Sequence, residues 1–263
     1  MLETVLINAA ESLLSEHGRG AHFKPFAAAV GITNVRDAYT VQREYVRLQM
    51  QARAVAAAGY KIGLTSKRMQ DMCAIDSPIA GVVLSDRIHP SGVTLRPSAY
   101  GRLGVEFEIA VRLKRDLRAD KGAPTLGDVA DAVDAVAPAF ELIDDRHADY
   151  RALDALSLIA DNAWNAGVVL GEFVPAPPDL ASVEGAVSID GQMVDHGFGR
   201  DVLGHPFHPV AWLAGHLGET GSALKAGDIV MTGSIVTTKF PDGPAAYRFD
   251  ISGLGVVELA IAP

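Results

Sequence analysis

The segment Val105–Leu113 constrains the fold of this chain more than any other stretch, because apolar residues occupy every second position of it. That period is typical of a β-strand with one buried face. The other face begins with Glu106 and Glu108, which point the same way because side chains two residues apart on a strand share a face. Two adjacent anions repel each other unless a cation lies between them. The segment therefore predicts either a solvated strand face or a cation site.

A third carboxylate occurs in a similar setting. Glu141 lies inside the almost wholly apolar run 137–143, which predicts a buried strand, where an unpaired glutamate is rare. A solvated outer face remains the alternative interpretation of Glu106 and Glu108 taken alone. Three carboxylates without a set of cysteines or histidines suit a hard divalent cation, Mg2+ or Mn2+, better than zinc.

A lysine adds a positive charge to the candidate residues. Lys61 lies in the short apolar run 60–64, and on a strand it shares a face with Gly63, which has no side chain. A small ligand could then approach the ammonium group. The alternative is a lysine on an edge strand that guards against aggregation. Beside a metal-bound anion, such a lysine would bind a carboxylate or shuttle a proton.

Two further stretches place small polar residues after apolar runs. Asp161 and Asn162 follow the run 158–160, and Thr232, Gly233 and Ser234 follow the run 229–231. Such residues usually form turns. Strand ends are also where a scaffold presents groups that bind ligands.

Composition excludes several classes of function. With 263 residues, 49% of them hydrophobic, the chain can bury a full core without disulfides. The one cysteine, Cys73, excludes a disulfide framework and fits a reducing cytoplasm, and we assign it no chemistry. The net charge of −9 opposes a phosphate backbone and an anionic lipid surface, so we expect neither nucleic acid nor membrane as a partner. The amino terminus does not resemble a signal peptide.

The pattern along the chain predicts a helical segment followed by a β-rich domain. An amphipathic helix is expected over residues 1 to about 18 and a second over Val35–Ala58, so residues 1–58 form the helical segment and residues 59–263 the catalytic domain. Strands are expected at Tyr60–Leu64, Ala80–Leu84, Val105–Leu113, Val136–Ile143, Ala163–Leu170, Val183–Ile189, Asp228–Met231, Ala246–Ile251 and Val256–Ile261. Further helices are expected at Lys67–Met72, Leu126–Ala135, with a capping box of Thr125 and Asp128, and Pro209–Leu217.

These residues together resemble the 2-keto-4-pentenoate hydratase family, which belongs to the wider fumarylacetoacetate hydrolase superfamily. The matching pieces are Lys-Ile-Gly-Leu-Thr-Ser at 61–66, Glu-Phe-Glu-Ile-Ala at 106–110, Glu-Leu-Ile-Asp at 141–144, Ala-Asp-Asn at 160–162 and Gly-Asp-Ile-Val-Met-Thr-Gly-Ser at 227–234. Their order and spacing cover most of the chain after Gly59. The combination is specific for the superfamily and less specific for the substrate.

The resemblance implies an α+β fold, a mixed rolled β-sandwich with a helical N-terminal segment. It also implies Mg2+ or Mn2+ held by Glu106, Glu108 and Glu141, with Lys61 as a catalytic residue. The substrate would be a small 2-oxo acid or its dienol, as arises in the meta-cleavage degradation of aromatic compounds. The protein would be a cytoplasmic homo-oligomer, which could associate with another enzyme of the pathway.

The expected reaction is the addition of water to a 2-hydroxy-2,4-dienoate, which gives a 4-hydroxy-2-oxo acid. A 2-oxo acid chelates a hard cation through a carboxylate oxygen and the keto oxygen, and the cation stabilises the enolate that forms. Lys61 would hold the carboxylate or relay protons. Asp161, Asn162 and Ser234 would bind the substrate or position water.

The chain departs from the family pattern at two places. Family hydratases commonly have Pro-Asp where this chain has Pro78 and Ile79, and related 4-oxalocrotonate decarboxylases have Ile there. Asp76 is the candidate that would replace the missing acid as a catalytic residue. The approach to the carboxylate pair, Leu103-Gly104-Val105, also lacks the Pro-Arg or Pro-Lys that is usual in both groups. These departures keep a 4-oxalocrotonate-type decarboxylase, or a hydro-lyase for another 2-oxo acid, as alternatives, although Ser234 favours the hydratases. A non-catalytic partner subunit of the same fold is a further alternative, and the presence of all three carboxylates and Lys61 argues against it.

Overall fold

Two β-sheets form the centre of the molecule in a computed structural model, which describes residues 2–120, 122–177 and 179–263. The strands are β1 (Ala57–Gly63), β2 (Ile79–Leu84), β3 (Ile88–Pro90), β4 (Val93–Leu95), β5 (Leu103–Leu113), β6 (Val133–Asp144), β7 (Asn165–Leu170), β8 (Glu184–Ile189), β9 (Gln192–Phe198), β10 (Ile229–Ser234), β11 (Ala245–Ile251) and β12 (Gly255–Ile261). The helices are α1 (Leu2–Gly18), α2 (Val35–Arg53), α3 (Lys67–Met72), α4 (Leu126–Ala132), α5 (Ala155–Ala160) and α6 (Phe207–Gly218).

Both sheets mix parallel and antiparallel neighbours. The larger sheet has the order β2-β1-β10-β5-β6-β7-β3, and the smaller has the order β4-β12-β11-β8-β9. In the larger sheet β1 runs parallel to β10, whereas β5 is antiparallel to both β10 and β6. The expected α+β fold with a mixed β-sandwich is confirmed, and strand β5 lies in the middle of the larger sheet.

Aromatic side chains join the two sheets. Phe107 of β5 and Phe140 of β6 are fully buried, and Phe249 of the smaller sheet packs edge-on against Phe107 with 5.6 Å between ring centroids. Residues on this face of β5 are buried as the alternation predicts. The opposite face of β5 is also largely buried, since Glu108 and Ala110 have no exposed surface. The interpretation of that face as a solvated surface is therefore wrong for Glu108.

Helix α2 packs against both α1 and α5 beside the larger sheet. Asn34 caps α2 by accepting a hydrogen bond from the Asp37 N–H, and the predicted capping box of Thr125 and Asp128 is present at α4. The buried side chains of α1 and α2 belong to the same apolar cluster as the sandwich core. The division into residues 1–58 and 59–263 stays a prediction. Met1, which the first predicted helix includes, lies outside the described residues.

The second predicted helix is too long by several residues. Helix α2 ends at Arg53, where Ala54 takes a left-handed conformation with φ of 54° and donates its N–H to the Met50 carbonyl. Residues 57–63 then form β1 by pairing with β2. The alanines that follow Arg53 favour a helix locally, but the hydrogen bonds of a sheet interior outweigh that weak preference.

Strand β9 was absent from the predicted strands. Its Met193 and Val194 are exposed, so it lacks the apolar alternation that marks a half-buried strand. The turn before it does carry a signal, because Asp190 and Gly191 both have positive φ, and Asp-Gly is a common two-residue hairpin turn. Among the described helices, none is both long and apolar enough to cross a bilayer.

We expect Gly59→Ala to disrupt the pairing of β1 with β10. A Cβ at this position would lie 1.9 Å from the carbonyl oxygen of Ile229, a backbone atom that cannot move without separating the strands. The free energy of unfolding, measured by urea denaturation, should fall by about 3 kcal/mol. As a control, Gly127→Ala in helix α4 meets only ordinary contacts and should raise it by about 0.5–1 kcal/mol. Equal stability of the two variants would contradict this prediction.

Candidate active site

Three carboxylates converge on one face of the larger sheet. The antiparallel register of β5 and β6 puts Glu106 directly opposite Glu141, and Glu108 follows on the same face of β5. One oxygen from each of the three lies within 4.8 Å of the other two. The structure therefore brings together the three acids that the sequence singled out, on the face that points away from the smaller sheet.

A backbone amide orients Glu108. The N–H of Gly233 donates a hydrogen bond of 2.8 Å to Glu108 Oε2. Gly233 lies at a register irregularity of β10 and has φ of 112°, and a Cβ there would lie 2.4 Å from Thr65 Oγ1, so only glycine fits. The Thr-Gly-Ser sequence after the run 229–231 thus acts through its glycine backbone, which aims a donor at a buried carboxylate.

Two side chains that the sequence analysis did not select orient the other carboxylates. Thr238 Oγ1 donates to Glu106 Oε1 at 2.8 Å, and Asn165 Nδ2 donates to Glu141 Oε1 at 3.0 Å. Thr238 lies in the irregular segment after β10, where spacing predicts no contact. Asn165 is the first residue of a strand that was predicted to start at residue 163. A polar residue at the start of an apolar strand was the one available signal for it.

The buried carboxylates each keep one oxygen available. Glu108 Oε1 and Glu141 Oε2 are buried and have no hydrogen-bond partner among the described residues. Burial raises the pKa of Glu141 to about 7, and burial together with the neighbouring carboxylates raises the pKa of Glu108 well above its usual value. Free oxygens of this kind, on side chains already fixed through their other oxygen, fit a hard divalent cation.

Lys61 completes the charged group. Its Nζ lies 3.2 Å from Glu141 Oε1, and the residue is 4% exposed. Burial lowers its pKa, but the attraction of Glu141, Glu106 and Glu108 outweighs burial and leaves the pKa raised. Strand β1 lies between β2 and β10, so the alternative of an edge-strand lysine is wrong. A Cβ on Gly63 would lie 3.2 Å from Nζ, as expected for a lysine beside an absent side chain.

Asp161 and Asn162 follow helix α5 rather than a strand, and both side chains bind the chain itself. Asn162 accepts from the N–H of Val82 at 2.7 Å and donates to the carbonyl of the same residue at 2.9 Å. Asp161 is fully buried between His17 Nε2, at 2.6 Å, and the guanidinium of Arg146. These contacts tie β2 and α1 to the segment that leads to β7.

Ser234 and Asp76 differ in their placement. Ser234 is paired with Glu108 across β10 and β5, and its Oγ accepts from the N–H of Phe107 at 3.0 Å and donates to the carbonyl of Val236 at 2.8 Å. Asp76 is exposed in the segment between α3 and β2, and its side chain makes no hydrogen bond or ion pair within the described part of the chain. The structure thus brings Ser234, but not Asp76, next to the carboxylates.

The sequence matches a known family over most of its length. Residues 52–261 match the family described as Fumarylacetoacetate (FAA) hydrolase C-terminal. A 2-oxo-hept-4-ene-1,7-dioate hydratase of Escherichia coli is 38% identical over 230 residues, which are 85% of each chain. A 2-hydroxyhexa-2,4-dienoate hydratase of Comamonas testosteroni is 36% identical over 233 residues, 86% of this chain and 85% of the relative.

The fold is also that of a solved enzyme. The structure of 4-oxalocrotonate decarboxylase from Pseudomonas putida G7, complexed with magnesium and adipate, superimposes with a TM-score of 0.91 at 29% identity and covers 98% of this chain and 97% of its own. The chain belongs to the fumarylacetoacetate hydrolase family. Within that family its relatives are the 2-keto-4-pentenoate hydratases and the 4-oxalocrotonate decarboxylases, so the resemblance found in the sequence is confirmed.

We expect Glu108→Gln to stabilise the metal-free protein. A buried acid with a raised pKa binds its proton more tightly in the folded state. The free energy of unfolding therefore falls as the pH rises from 4.5, the ordinary pKa of a glutamate, through about 7, the pKa of Glu141. Removing the Glu108 charge should therefore raise the free energy of unfolding at pH 8 and reduce its fall between pH 5 and pH 8.

The measurement is urea denaturation in the presence of a chelator at pH 5 and pH 8. Glu184→Gln, which changes an exposed glutamate at the start of β8, is the matched control and should leave the pH dependence unchanged. A Glu108→Gln protein that is less stable than the control at pH 8 would show that the three carboxylates do not repel one another.

Proposed function

We propose that this protein is a metal-dependent hydro-lyase that adds water to a 2-hydroxy-2,4-dienoate and forms a 4-hydroxy-2-oxo acid in the degradation of aromatic compounds by meta-cleavage. The observation that carries the proposal is the cluster of Glu106, Glu108 and Glu141, whose buried free oxygens face one another beside Lys61. Relatives that cover most of the chain are hydratases of such dienoates.

Mg2+ or Mn2+ is the cofactor that these residues fit, and Glu106, Glu108 and Glu141 are its proposed ligands. The donor set consists of carboxylate oxygens alone, which hard cations prefer. When bound, such a cation would polarise the 2-oxo group and stabilise the enolate. The similar decarboxylase of P. putida G7 was solved with magnesium, which supports this choice.

The chain supplies position and charge. Three carboxylates and Lys61 leave a net charge of −2, which a divalent cation neutralises, so an anionic substrate can bind inside an acidic protein. Lys61 holds the substrate carboxylate or relays a proton to the far end of the dienol. Asp161, Asn162 and Ser234 are proposed to act on the substrate or water, and their contacts indicate that they also brace the strands around the site.

A decarboxylase of the 4-oxalocrotonate type is the second candidate, because of Ile79. The side chain of Ile79 is 1% exposed, and both Ile79 Cγ1 and Lys61 Nζ lie within about 3.5 Å of the position of a Cβ on Gly63. An apolar group therefore occupies the place beside Lys61 where hydratases have an acid. The exposed Asp76 would have to move to replace that acid.

We further propose a cytoplasmic homo-oligomer that can associate with another enzyme of its pathway. Cys73 is free and buried, which suits a reducing compartment. The exposed side chains of Met193 and Val194 on strand β9, at the edge of the smaller sheet, support a contact with a second copy. Light scattering of the purified protein tests the oligomer, and a monomer would contradict it.

Glu106→Gln and Lys61→Met test the assignment of the site. Each should lower kcat by about a hundredfold or more, since one preorganised group at a developing anion contributes about 3–4 kcal/mol. Glu106→Gln should also weaken Mg2+ binding in a calorimetric titration, whereas Lys61→Met should retain it. Lys67→Met, which changes an exposed lysine of α3 paired with Asp71, is the control and should retain full activity. Full activity in Glu106→Gln would refute the metal assignment.

The reaction itself is tested with Mg2+ and enzymatically generated 2-hydroxypenta-2,4-dienoate. Loss of the dienol absorbance without release of CO2 identifies a hydratase. Release of CO2 from 4-oxalocrotonate identifies a decarboxylase. A protein inactive in both assays that still binds Mg2+ would point to the third alternative, a non-catalytic partner subunit.

A further inference from the structure

The opening of the candidate active site lies on the side of Glu106. Glu108 and Glu141 are fully buried and Lys61 is nearly so, whereas Glu106 is partly exposed. Glu106 is thus the carboxylate of the three that solvent reaches, and residues on the same sheet face beyond it are placed to contact the far end of a ligand.

That face leads from Glu106 to a guanidinium. Gly104 precedes Glu106 by two residues within β5, so the strand alternation puts both on one face, and Arg102 lies just before the strand. A Cβ on Gly104 would lie 2.7 Å from Ile143 and 3.0 Å from both Phe240 and Thr238, so these three side chains fill its place. Arg102 Cζ lies 4.7 Å from the centroid of the same Phe240 ring. A continuous strip thus joins the carboxylates to Arg102.

Arg102 is held rigidly and keeps donors available. Its Nε donates to Asp145 Oδ1 at 2.7 Å, and its Nη2 donates to the other oxygen of Asp145. Asp145 is fully buried and also accepts from the N–H of His147 and the hydroxyl of Tyr150. The N–H and the hydroxyl fix the carboxylate that in turn orients the guanidinium. Arg102 Nη1 makes no hydrogen bond within the described part of the chain, and the side chain is 34% exposed.

We propose that Arg102 binds a second carboxylate at the far end of the substrate, so that the preferred substrates are dicarboxylic 2-hydroxydienoates. The inference rests on the proposed function, because it names the substrate class of the same site. The 2-oxo acid end lies at Glu106, Glu108 and Glu141, the unsaturated chain lies over Thr238 and Phe240, and the distal carboxylate meets Nη1. An arginine whose plane is fixed in advance binds a carboxylate without first losing side-chain freedom.

The decisive comparison uses two ligands that differ only in the distal carboxylate. Calorimetric titration of the Mg2+-loaded wild-type protein should show 2-oxoadipate binding about tenfold or more tightly than 2-oxohexanoate, a difference of about 1.4 kcal/mol. Equal affinities, or a preference for 2-oxohexanoate, would overturn the role of Arg102 and leave the proposed function intact. Binding of neither ligand would overturn the proposed function and this inference with it.

Arg102→Gln assigns the preference to one side chain. It should weaken binding of 2-oxoadipate about tenfold and leave that of 2-oxohexanoate within about twofold, because only the diacid contacts the guanidinium. The matched control is Arg112→Gln. Arg112 lies in β5, pairs with an aspartate, Asp134, and stacks on a phenylalanine, Phe173, much as Arg102 does just before the strand. The control should keep the wild-type ratio. If Arg102→Gln weakens the binding of both ligands equally, the arginine has a purely structural role and the proposal is wrong. If that variant does not fold, the ratio of the two affinities in the wild-type protein decides the proposal.

Discussion

The repulsion among three carboxylates on one buried sheet face is the constraint on which the site depends. Glu106, Glu108 and Glu141 lie within 4.8 Å of one another, and two of them have no exposed surface. Lys61 offsets one charge, which leaves two. Such an arrangement persists only where the surrounding fold holds it and a cation can neutralise it. The same feature that lowers stability in the metal-free chain makes the site selective for a doubly charged ion.

The fold holds the carboxylates through contacts that come from distant parts of the chain. Register between β5 and β6 sets Glu106 against Glu141, Gly233 of β10 supplies an N–H to Glu108, and Asn165 reaches Glu141 from β7. Each donor binds one carboxylate oxygen and leaves the other to the ligand. Around this group, the packed core of Phe107 and Phe249 on the opposite face keeps β5 from shifting.

Local patterns predicted the central elements well because they depend on residues close together in sequence. Helix α3 and the capping box at Thr125 follow from side chains that contact their own backbone. Buried strands such as β5 and β6 follow from runs of apolar residues. Prediction failed where longer-range contacts decide: the alanines after Arg53 enter a strand because β2 lies beside them, and β9 pairs with β8 through its backbone without burying its own side chains.

The sequence by itself indicated a cation site, since two carboxylates two residues apart on a strand and a third within an apolar run suit a hard divalent cation. It also determined the family, through short motifs in a constant order. Only the tertiary structure decided which oxygens are free, that Asp161 and Asn162 bind the chain itself, that Thr238 contacts Glu106 and that Phe240 contacts Arg102. The last two contacts depend on how the segment after β10 pairs with β5 at Val105 and Lys239, and no spacing in the sequence records that path.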